Sequence, residues 1–205
     1  MIDDSIKTLE KQSEGIYKDK GSKFIGVAMP VESEEEIKEQ LVKIKKQYHD
    51  ARHHCYAYAL GINNEIYRIN DDGEPSGTAG KPIYGQILSF QLSNVLIIVV
   101  RYFGGTKLGV RGLINAYKGA AKDAILNNNI IEKYLCNVYK IEFKYDEMND
   151  VMRIIKEYKL DQFNHDFSET CTLKFSIRQS LAEQVVSLFS SVNNLKIKRI
   201  ESMYS

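Results

Sequence analysis

The segment VLIIVVRYFGGTKLGVRGL, residues 95–113, carries the strongest structural signal in the chain. It opens with six consecutive aliphatic residues, Val95–Val100, which are too few to span a bilayer and predict a buried β-strand. Gly104 and Gly105 then turn the chain, and helical spacing predicts a long α-helix over 108–126. A buried strand that leads through a glycine turn into a helix favours a fold that contains both helices and strands.

Shorter elements precede this segment. The spacing of apolar and turn residues predicts a hairpin around 15–28, a capped helix over 34–48, strands at 55–60 and 65–69, and a short helix over 83–92. Residues 70–82, which are rich in glycine and proline, predict a loop between the last of these strands and the short helix.

A new pattern begins after the three asparagines at 127–129. The predicted elements are a strand (137–144), a helix (149–158), two strands (161–167 and 171–177), a helix (181–190) and a strand (195–202). This βαββαβ series is the split-βαβ or ferredoxin-like plan. The sequence therefore predicts an α+β protein with an N-terminal domain over 1–134 and a ferredoxin-like C-terminal domain over 135–205.

The overall composition is typical of a globular protein. The 205 residues are 43% hydrophobic, and 28 basic against 27 acidic side chains leave a net charge of +1, which does not indicate a disordered chain or a strongly basic polyanion binder. Cys55, Cys136 and Cys171 are odd in number and far apart, which argues against disulfides and zinc sites. The acidic start lacks a signal-peptide pattern. We expect a cytoplasmic protein with no membrane partner.

The loop 70–82 is the first candidate site. Thirteen residues without secondary structure are uncommon in a compact domain unless they serve a function, and the alternative is an ordinary surface loop. Its carboxylates could orient water or hold a cation, and the backbone N–H groups of 76–81 could bind an anion at the start of a helix. Because neither P-loop nor EF-hand spacing is present, we predict no metal and no cofactor.

The second candidate site follows the buried strand. Arg101, Tyr102 and Phe103 stand at the carboxyl end of the strand, and Lys107 and Arg111 come four residues apart at the start of the helix. Cations and aromatic rings beside a helix N-terminus suit phosphate or nucleic acid. The alternative is that Arg101 pairs with a loop acid such as Asp72 and that the tyrosine simply packs.

Local charge supports the second site. From residue 75 to residue 122 the chain has six basic side chains and no acidic one, which indicates a basic face. We expect this face and the acidic loop to meet in one groove. The residues predicted to bind phosphate or nucleic acid are Lys81, Arg101, Tyr102, Lys107 and Arg111, and those predicted to shape the groove are His53, Asp72, Glu74, Ser76 and Thr78.

His53 and Cys55 lie two residues apart at the start of a predicted strand, so their side chains share one face. Such a pair could supply a nucleophile and its base. No acylating signature surrounds them, and a buried structural cysteine beside a hydrogen-bonded histidine is the favoured interpretation. We therefore predict no catalytic residue.

At these segments the sequence resembles the YigZ/IMPACT family. The resemblance rests on DDGEPSGTAGKPI at 71–83 and VVRYFGGTKLG at 99–109, with support from SKF at 22–24 and the AxHxCxA pattern at 51–57. It implies a first domain similar to the second domain of the small-subunit ribosomal protein that lines the decoding region. It also implies a second domain similar to the last domain of elongation factor G, and eukaryotic relatives that regulate translation.

The leading hypothesis is a protein that binds structured RNA or the ribosome and modulates translation without catalysis. One alternative is a hydrolase or other enzyme acting on a phosphorylated or peptide substrate, with Asp72 and Glu74 as acid and base and Ser76 or Thr78 as phosphate ligands. Another is an adaptor that binds only proteins through the sheet of the second domain, for which an exposed apolar patch on that domain would be the distinguishing feature.

Overall fold

A computed structural model describes residues 4–168 and 170–205 of the chain. Its elements are β1 (Ser5–Leu9), β2 (Ser13–Asp19), β3 (Ser22–Pro30), α1 (Glu34–Gln47), β4 (His53–Leu60), β5 (Ile66–Asn70), α2 (Gly80–Ser89), β6 (Val95–Tyr102), α3 (Gly109–Leu126), β7 (Ile130–Phe143), a 3₁₀ turn (Tyr145–Glu147), α4 (Met148–Glu157), β8 (Asp161–Phe167), β9 (Cys171–Arg178), α5 (Gln179–Ser190) and β10 (Lys196–Tyr204). The predicted α+β class is confirmed. The chain divides into two compact units, of which the first is Ile6–Glu132 and the second is Lys133–Ser205 with the residues up to Ser5.

Strand β6 lies at the centre of the first unit. The sheet has the order β2-β3-β6-β4-β5, and its neighbouring strands are antiparallel. All residues of Val95–Val100 are fully buried, which confirms the prediction from the aliphatic run. Helices α2 and α3 cover one face of the sheet, and α1 covers the other through Ile37 and Ile44. A strand covered on both faces is continuously apolar because both sets of alternating side chains meet a core.

Two paired glycines allow α3 to approach the sheet closely. Gly15 of β2 and Gly26 of β3 stand opposite each other in the register of the two strands. A Cβ atom at Gly15 would collide with the backbone of Ala124, and one at Gly26 would collide with the backbone of Ala120. The helix backbone therefore rests directly on these two strands.

Hydrogen bonds join the start of the first unit to its end. The Ser13 hydroxyl donates to the carbonyl of Ala124 over 2.7 Å, and the backbone N–H of Ile16 donates to Asp123 Oδ2 over 2.8 Å. Further bonds run from the side-chain amides of Asn127 and Asn128 to the carbonyls of Glu14 and Lys11. Residues 11–16 are therefore held by the last turn of α3 and the residues after it.

The second unit has the predicted βαββαβ series, formed by β7, α4, β8, β9, α5 and β10. Its strands have the order β10-β7-β9-β8, and α4 and α5 pack against one face of the sheet. On the opposite face Lys198, Lys140 and Lys174 form one row across three neighbouring strands. In the described ranges, no helix is both long enough and apolar enough to cross a membrane.

Strand β6 continues to Tyr102 instead of ending at residue 100, and two further strands also differ from the sequence prediction. Strand β7 begins at Ile130 rather than at residue 137, because Glu132 and Lys133 interrupt the apolar alternation of a segment that is only partly buried. Strand β1 was not predicted at all. It has five residues, and Lys7 bridges to Leu92, a distant partner that the local pattern does not encode.

Asp4 caps helix α5 in the second unit. Its Oδ1 accepts a hydrogen bond from Arg178 Nη2 at 2.6 Å, and its Oδ2 accepts one from the backbone N–H of Ser180 at 2.9 Å. The hydrogen bond from Arg178 is the main cause that lowers the pKa of Asp4 from 3.8 to about 2. A carboxylate at a helix N-terminus is also favoured by the helix dipole.

We expect the Asp4 carboxylate to make the free energy of unfolding depend on pH in the acidic range. Because the folded-state pKa of Asp4 is lowered, the stability that it contributes is complete above pH 3.8 and is lost as the pH falls toward about 2. Urea denaturation of the wild type and Asp4→Asn should therefore show a difference in unfolding free energy that shrinks as the pH falls through this window. Asp150→Asn, which removes an exposed partner of Arg153, is the control. A difference that stays constant with pH would contradict the prediction.

The close contact between α3 and the sheet predicts different outcomes for two Gly→Ala substitutions. Gly26→Ala should lower the unfolding free energy by about 1–3 kcal/mol, because the new Cβ overlaps a backbone that cannot move without displacing the helix. Gly85→Ala in α2 meets no atom within 4 Å. It should be neutral or stabilising by up to about 1 kcal/mol. Equal effects of the two substitutions in urea denaturation would show that the helix has room to shift.

Candidate functional site

A cleft of about 460 Å³ lies where β6 ends and α3 begins. Its lining consists of Arg52 and His53 at the start of β4, Glu74 and Pro75 from the loop, Arg101 and Phe103 at the end of β6, and Lys107, Leu108, Gly109, Val110 and Leu113 at the start of α3. The loop and the segment after β6 therefore meet in one groove, as predicted.

Asp71 holds the loop in place by capping α2. Its Oδ1 accepts hydrogen bonds from the backbone N–H groups of Ala79 and Gly80 at 3.0 and 2.8 Å, and its Oδ2 accepts one from Gly77 at 2.8 Å. These are N–H groups of 76–81 that were predicted to bind an external anion. The prediction is corrected for these three groups because the chain's own carboxylate already satisfies them, and the helix dipole favours that anion.

Asp72 connects the loop to the start of β4. Its Oδ2 accepts a hydrogen bond from the backbone N–H of His54 at 2.7 Å. Its carbonyl oxygen lies 2.8 Å from His53 Nδ1. Since a carbonyl can only accept, Nδ1 is the donor of this hydrogen bond, and in the neutral tautomer of the ring Nε2 is then an acceptor. Asp72 therefore orients His53, and its own side chain is not part of the cleft lining.

A buried ion pair forms part of the cleft wall. Arg101 Nη1 lies 2.5 Å from Glu74 Oε1, and the two side chains are 9% and 4% exposed. The hydroxyl of Tyr117 donates to the same carboxylate oxygen at 2.8 Å. The guanidinium also lies 5.4 Å from the ring centre of Phe24 and 5.6 Å from that of Phe103. This cluster joins the loop, β6 and α3.

The ion pair changes the role predicted for Arg101. The alternative in which Arg101 pairs with a loop acid is the observed one, and the acid is Glu74 rather than Asp72. Tyr102, predicted to bind beside Arg101, is instead half-buried and packs against the core on the α1 side of the sheet, because successive residues of a strand point to opposite faces. Its hydroxyl donates to Asp50 at 2.7 Å, and this hydrogen bond raises the pKa of Tyr102 to about 12.

Cys55 lies in the same buried cluster. Its Sγ is 3.0 Å from the carbonyl oxygen of Asp71 and 3.4 Å from the hydroxyl of Tyr117. Burial raises the pKa of the Cys55 thiol to about 12, and burial also raises the pKa of Tyr117. A thiol that stays protonated at neutral pH is a poor nucleophile. This supports the structural interpretation of Cys55.

The other predicted residues occupy several positions. Lys107 is exposed and lines the cleft, whereas Lys81 and Arg111 are exposed outside the lining. Ser76 is exposed on the loop. Thr78 is buried, and its hydroxyl donates to the carbonyl of Pro75 at 2.6 Å. Arg52 and the apolar lining residues Leu108, Val110 and Leu113 were not predicted, although a basic residue directly before a strand was an available signal for Arg52. Within the described part of the chain, no three His, Cys, Asp or Glu side chains are grouped as metal ligands would be.

Comparison with known proteins identifies relatives that share these segments. The family profile of the Impact N-terminal domain matches residues 20–125. IMPACT family member YvyE of Bacillus subtilis is 38% identical over 136 residues, which are 66% of this chain and 63% of YvyE, so the match spans less than two thirds of that relative. An IMPACT family member of Haemophilus influenzae is 31% identical over 174 residues, which are 84% of this chain and 82% of the relative.

A solved structure shares the fold over almost the whole chain. This crystal structure of a hypothetical protein has a TM-score of 0.70 and 25% sequence identity, and the alignment covers 97% of this chain and 98% of the other. Both units described above therefore have counterparts in an experimental structure.

The buried pair between Arg101 and Glu74 predicts strong energetic coupling. Arg101→Met alone leaves a buried carboxylate without its cation and should lower the unfolding free energy by about 3–5 kcal/mol. The double variant Arg101→Met/Glu74→Gln removes both charges and should recover a large part of this loss. Urea denaturation of the two single variants and the double variant measures the coupling. Arg153→Met, which breaks an exposed pair, should change stability little, and additive effects at the buried pair would contradict the prediction.

Proposed function

The chain belongs to the IMPACT family, and on that basis, together with the geometry of the cleft, we propose that it is a cytoplasmic, non-catalytic protein that binds RNA on the ribosome and modulates translation. The observation that carries this proposal is the charge of the cleft. Arg52 and Lys107 are exposed at its wall, while the carboxylate among its lining residues, Glu74, is already paired with Arg101.

The cleft therefore has a net positive charge and an exposed aromatic ring. With Glu74 neutralised by Arg101, the cations of Arg52 and Lys107 remain available to an anion. Phe103 is 54% exposed in the same cleft. Proteins that bind single-stranded nucleic acid combine a positive groove for the phosphates with aromatic rings on which bases stack. This combination fits RNA better than it fits a small uncharged ligand.

The positions of the loop carboxylates favour binding over hydrolysis. Asp71 caps α2, Asp72 accepts from the backbone of His54, and Glu74 is buried against Arg101 and Tyr117. A general acid or base must reach its substrate directly or through one water molecule. All three side chains are engaged within the protein. The carboxylates of the acidic loop are therefore better suited to maintaining the shape of the cleft than to catalysing a reaction in it.

The adaptor alternative receives no comparable support from the second unit. It requires an exposed apolar patch on that unit. The sheet face opposite α4 and α5 instead has the row formed by Lys198, Lys140 and Lys174, and Lys140 is paired with Glu142 at 2.8 Å. A charged sheet face is a poor match for a purely apolar partner.

What the family resemblance implies about the two domains supports the ribosome as the site of RNA binding. It implies a first domain similar to a domain of a small-subunit ribosomal protein and a second domain similar to the last domain of elongation factor G. A fold is not evidence of function by itself. It supports the proposal here because the first half also contains the basic cleft.

The cleft cations predict a change in the salt dependence of RNA binding. Arg52→Ala/Lys107→Ala should weaken binding to purified ribosomal RNA and flatten the slope of log affinity against log salt by about 1.5, since each lost phosphate contact removes roughly 0.7–0.9. Lys118→Ala/Lys122→Ala removes the same charge from exposed positions of α3 outside the cleft lining. This control should leave the slope nearly unchanged. Equal slopes for both variants would show that only net charge matters.

Sucrose-gradient sedimentation tests the ribosome as partner. The wild-type protein should travel with ribosomal particles at low salt and dissociate at high salt, and Arg52→Ala/Lys107→Ala should dissociate at lower salt. A wild-type protein that stays at the top of the gradient at low salt would disprove ribosome binding, whatever its affinity for free RNA.

A further inference from the structure

The ring of His53 supplies the cleft with a hydrogen-bond acceptor. Its Nδ1 lies 2.8 Å from the carbonyl oxygen of Asp72 and donates to it. Gly73 lies beside the Nδ1 edge of the ring, since a Cβ built on it would be 3.5 Å from Nδ1 and 3.6 Å from Cε1. Nε2 has no hydrogen-bond partner among the described residues, and His53 is part of the cleft lining. With Nδ1 held as the donor, the neutral tautomer of the ring offers the lone pair of Nε2 to a ligand that can donate.

One wall of the same cleft is apolar although it is exposed to solvent. Phe103 and Val110 are 54% and 59% exposed, and Leu108 and Leu113 continue the wall toward the core. Arg101 lies over the Phe103 ring at 5.6 Å and restricts its position. An exposed ring that is held in place loses little freedom when a flat group stacks on it, so this wall is suited to a planar ligand.

We infer that the cleft binds one unstacked ribonucleotide of an RNA strand. The base stacks on the wall formed by Phe103 and Val110, the adjoining phosphates contact Arg52 and Lys107, and the ribose 2′-hydroxyl donates to His53 Nε2. This inference rests on the proposed RNA binding and adds to it two kinds of selectivity, for RNA over DNA and for unpaired nucleotides over duplex.

The dimensions and chemistry of the cleft support this ligand. Its volume of about 460 Å³ lies within the range of small-ligand sites, so it suits a single nucleotide rather than a helix. A base reaches such a cleft only when it is unstacked, which favours loops, bulges and single strands. The 2′-hydroxyl is the donor that DNA lacks. An acceptor at Nε2 therefore distinguishes the two sugars.

The selectivity can be measured with three pools of random-sequence single-stranded oligonucleotides of equal length, made of ribose, deoxyribose or 2′-O-methyl ribose. By fluorescence anisotropy, the wild-type chain should bind the ribose pool about three- to tenfold more tightly than the other two, as expected for one hydrogen bond. The 2′-O-methyl pool keeps the oxygen and loses the donor, so it should resemble DNA. The ribose pool annealed to its complement should bind more weakly than the single strand.

Two substitutions at His53 distinguish the role of Nδ1 from the role of Nε2. His53→Asn keeps a donor near the position of Nδ1 and loses the acceptor at Nε2, so it should bind the ribose and deoxyribose pools equally. His53→Gln keeps an acceptor near the position of Nε2 and should retain part of the preference for ribose. A purely structural role of His53 would lower the affinity for both sugars and leave their ratio unchanged, and that result would overturn the inference.

Phe103→Ala is the companion variant for the base. It should weaken binding of both sugars at least about fivefold and leave their ratio intact, because stacking does not involve the sugar. Equal binding of the ribose and deoxyribose pools by the wild type would overturn this inference and leave the proposed RNA binding in place. If the wild type bound neither oligonucleotide pool and did not bind ribosomal RNA, the proposed function itself would be wrong.

Discussion

The cleft depends on the buried ion pair between Arg101 and Glu74. Both charges have left water, and a buried charge is tolerated only when a partner and further hydrogen bonds compensate for its desolvation. The hydroxyl of Tyr117 supplies one such bond, and the rings of Phe24 and Phe103 flank the guanidinium. Because each partner comes from a different element, the loop, β6 and α3 keep one arrangement. The same pair removes Glu74 from the electrostatics of the cleft and leaves Arg52 and Lys107 to set its sign.

Much of this arrangement follows from local sequence patterns. The aliphatic run at 95–100 indicated the central strand, and the acidic loop and the basic segment were expected to meet. The partner of Arg101 could not be chosen among the loop acids, because that choice depends on the turn that Asp71 imposes by capping α2. Tyr102 was misplaced because the strand was predicted to end at Val100. The observed strand continues through Tyr102 and turns this side chain to the opposite face.

The charged residues of the loop and those at the rim of the cleft have two different roles. The carboxylates of Asp71, Asp72 and Glu74 accept hydrogen bonds from backbone and side chains of the protein itself and hold them in place. The cations of Arg52 and Lys107 face the solvent. A long loop rich in charged residues therefore acts mainly as a scaffold, and the surface that it supports has the opposite charge. This explains why the sequence pattern indicated this region and Lys107, whereas the pairing of Arg101 with Glu74 and the position of Arg52 in the cleft lining depend on the fold.

The bonds between residues 11–16 and the end of α3 bear on the synthesis of the chain. Ser13 and Ala124 are 111 positions apart, so strands β2 and β3 leave the ribosome long before the helix that covers them is complete. Contacts of such wide separation form late, because the chain between them must first be ordered. Until α3 is complete up to Ala124, the part of the sheet formed by β2 and β3 lacks the cover that this helix provides, although α2 already packs on the same face. The risk of aggregation is therefore concentrated in that interval of translation, and it ends when the last turn of α3 closes over the two glycines.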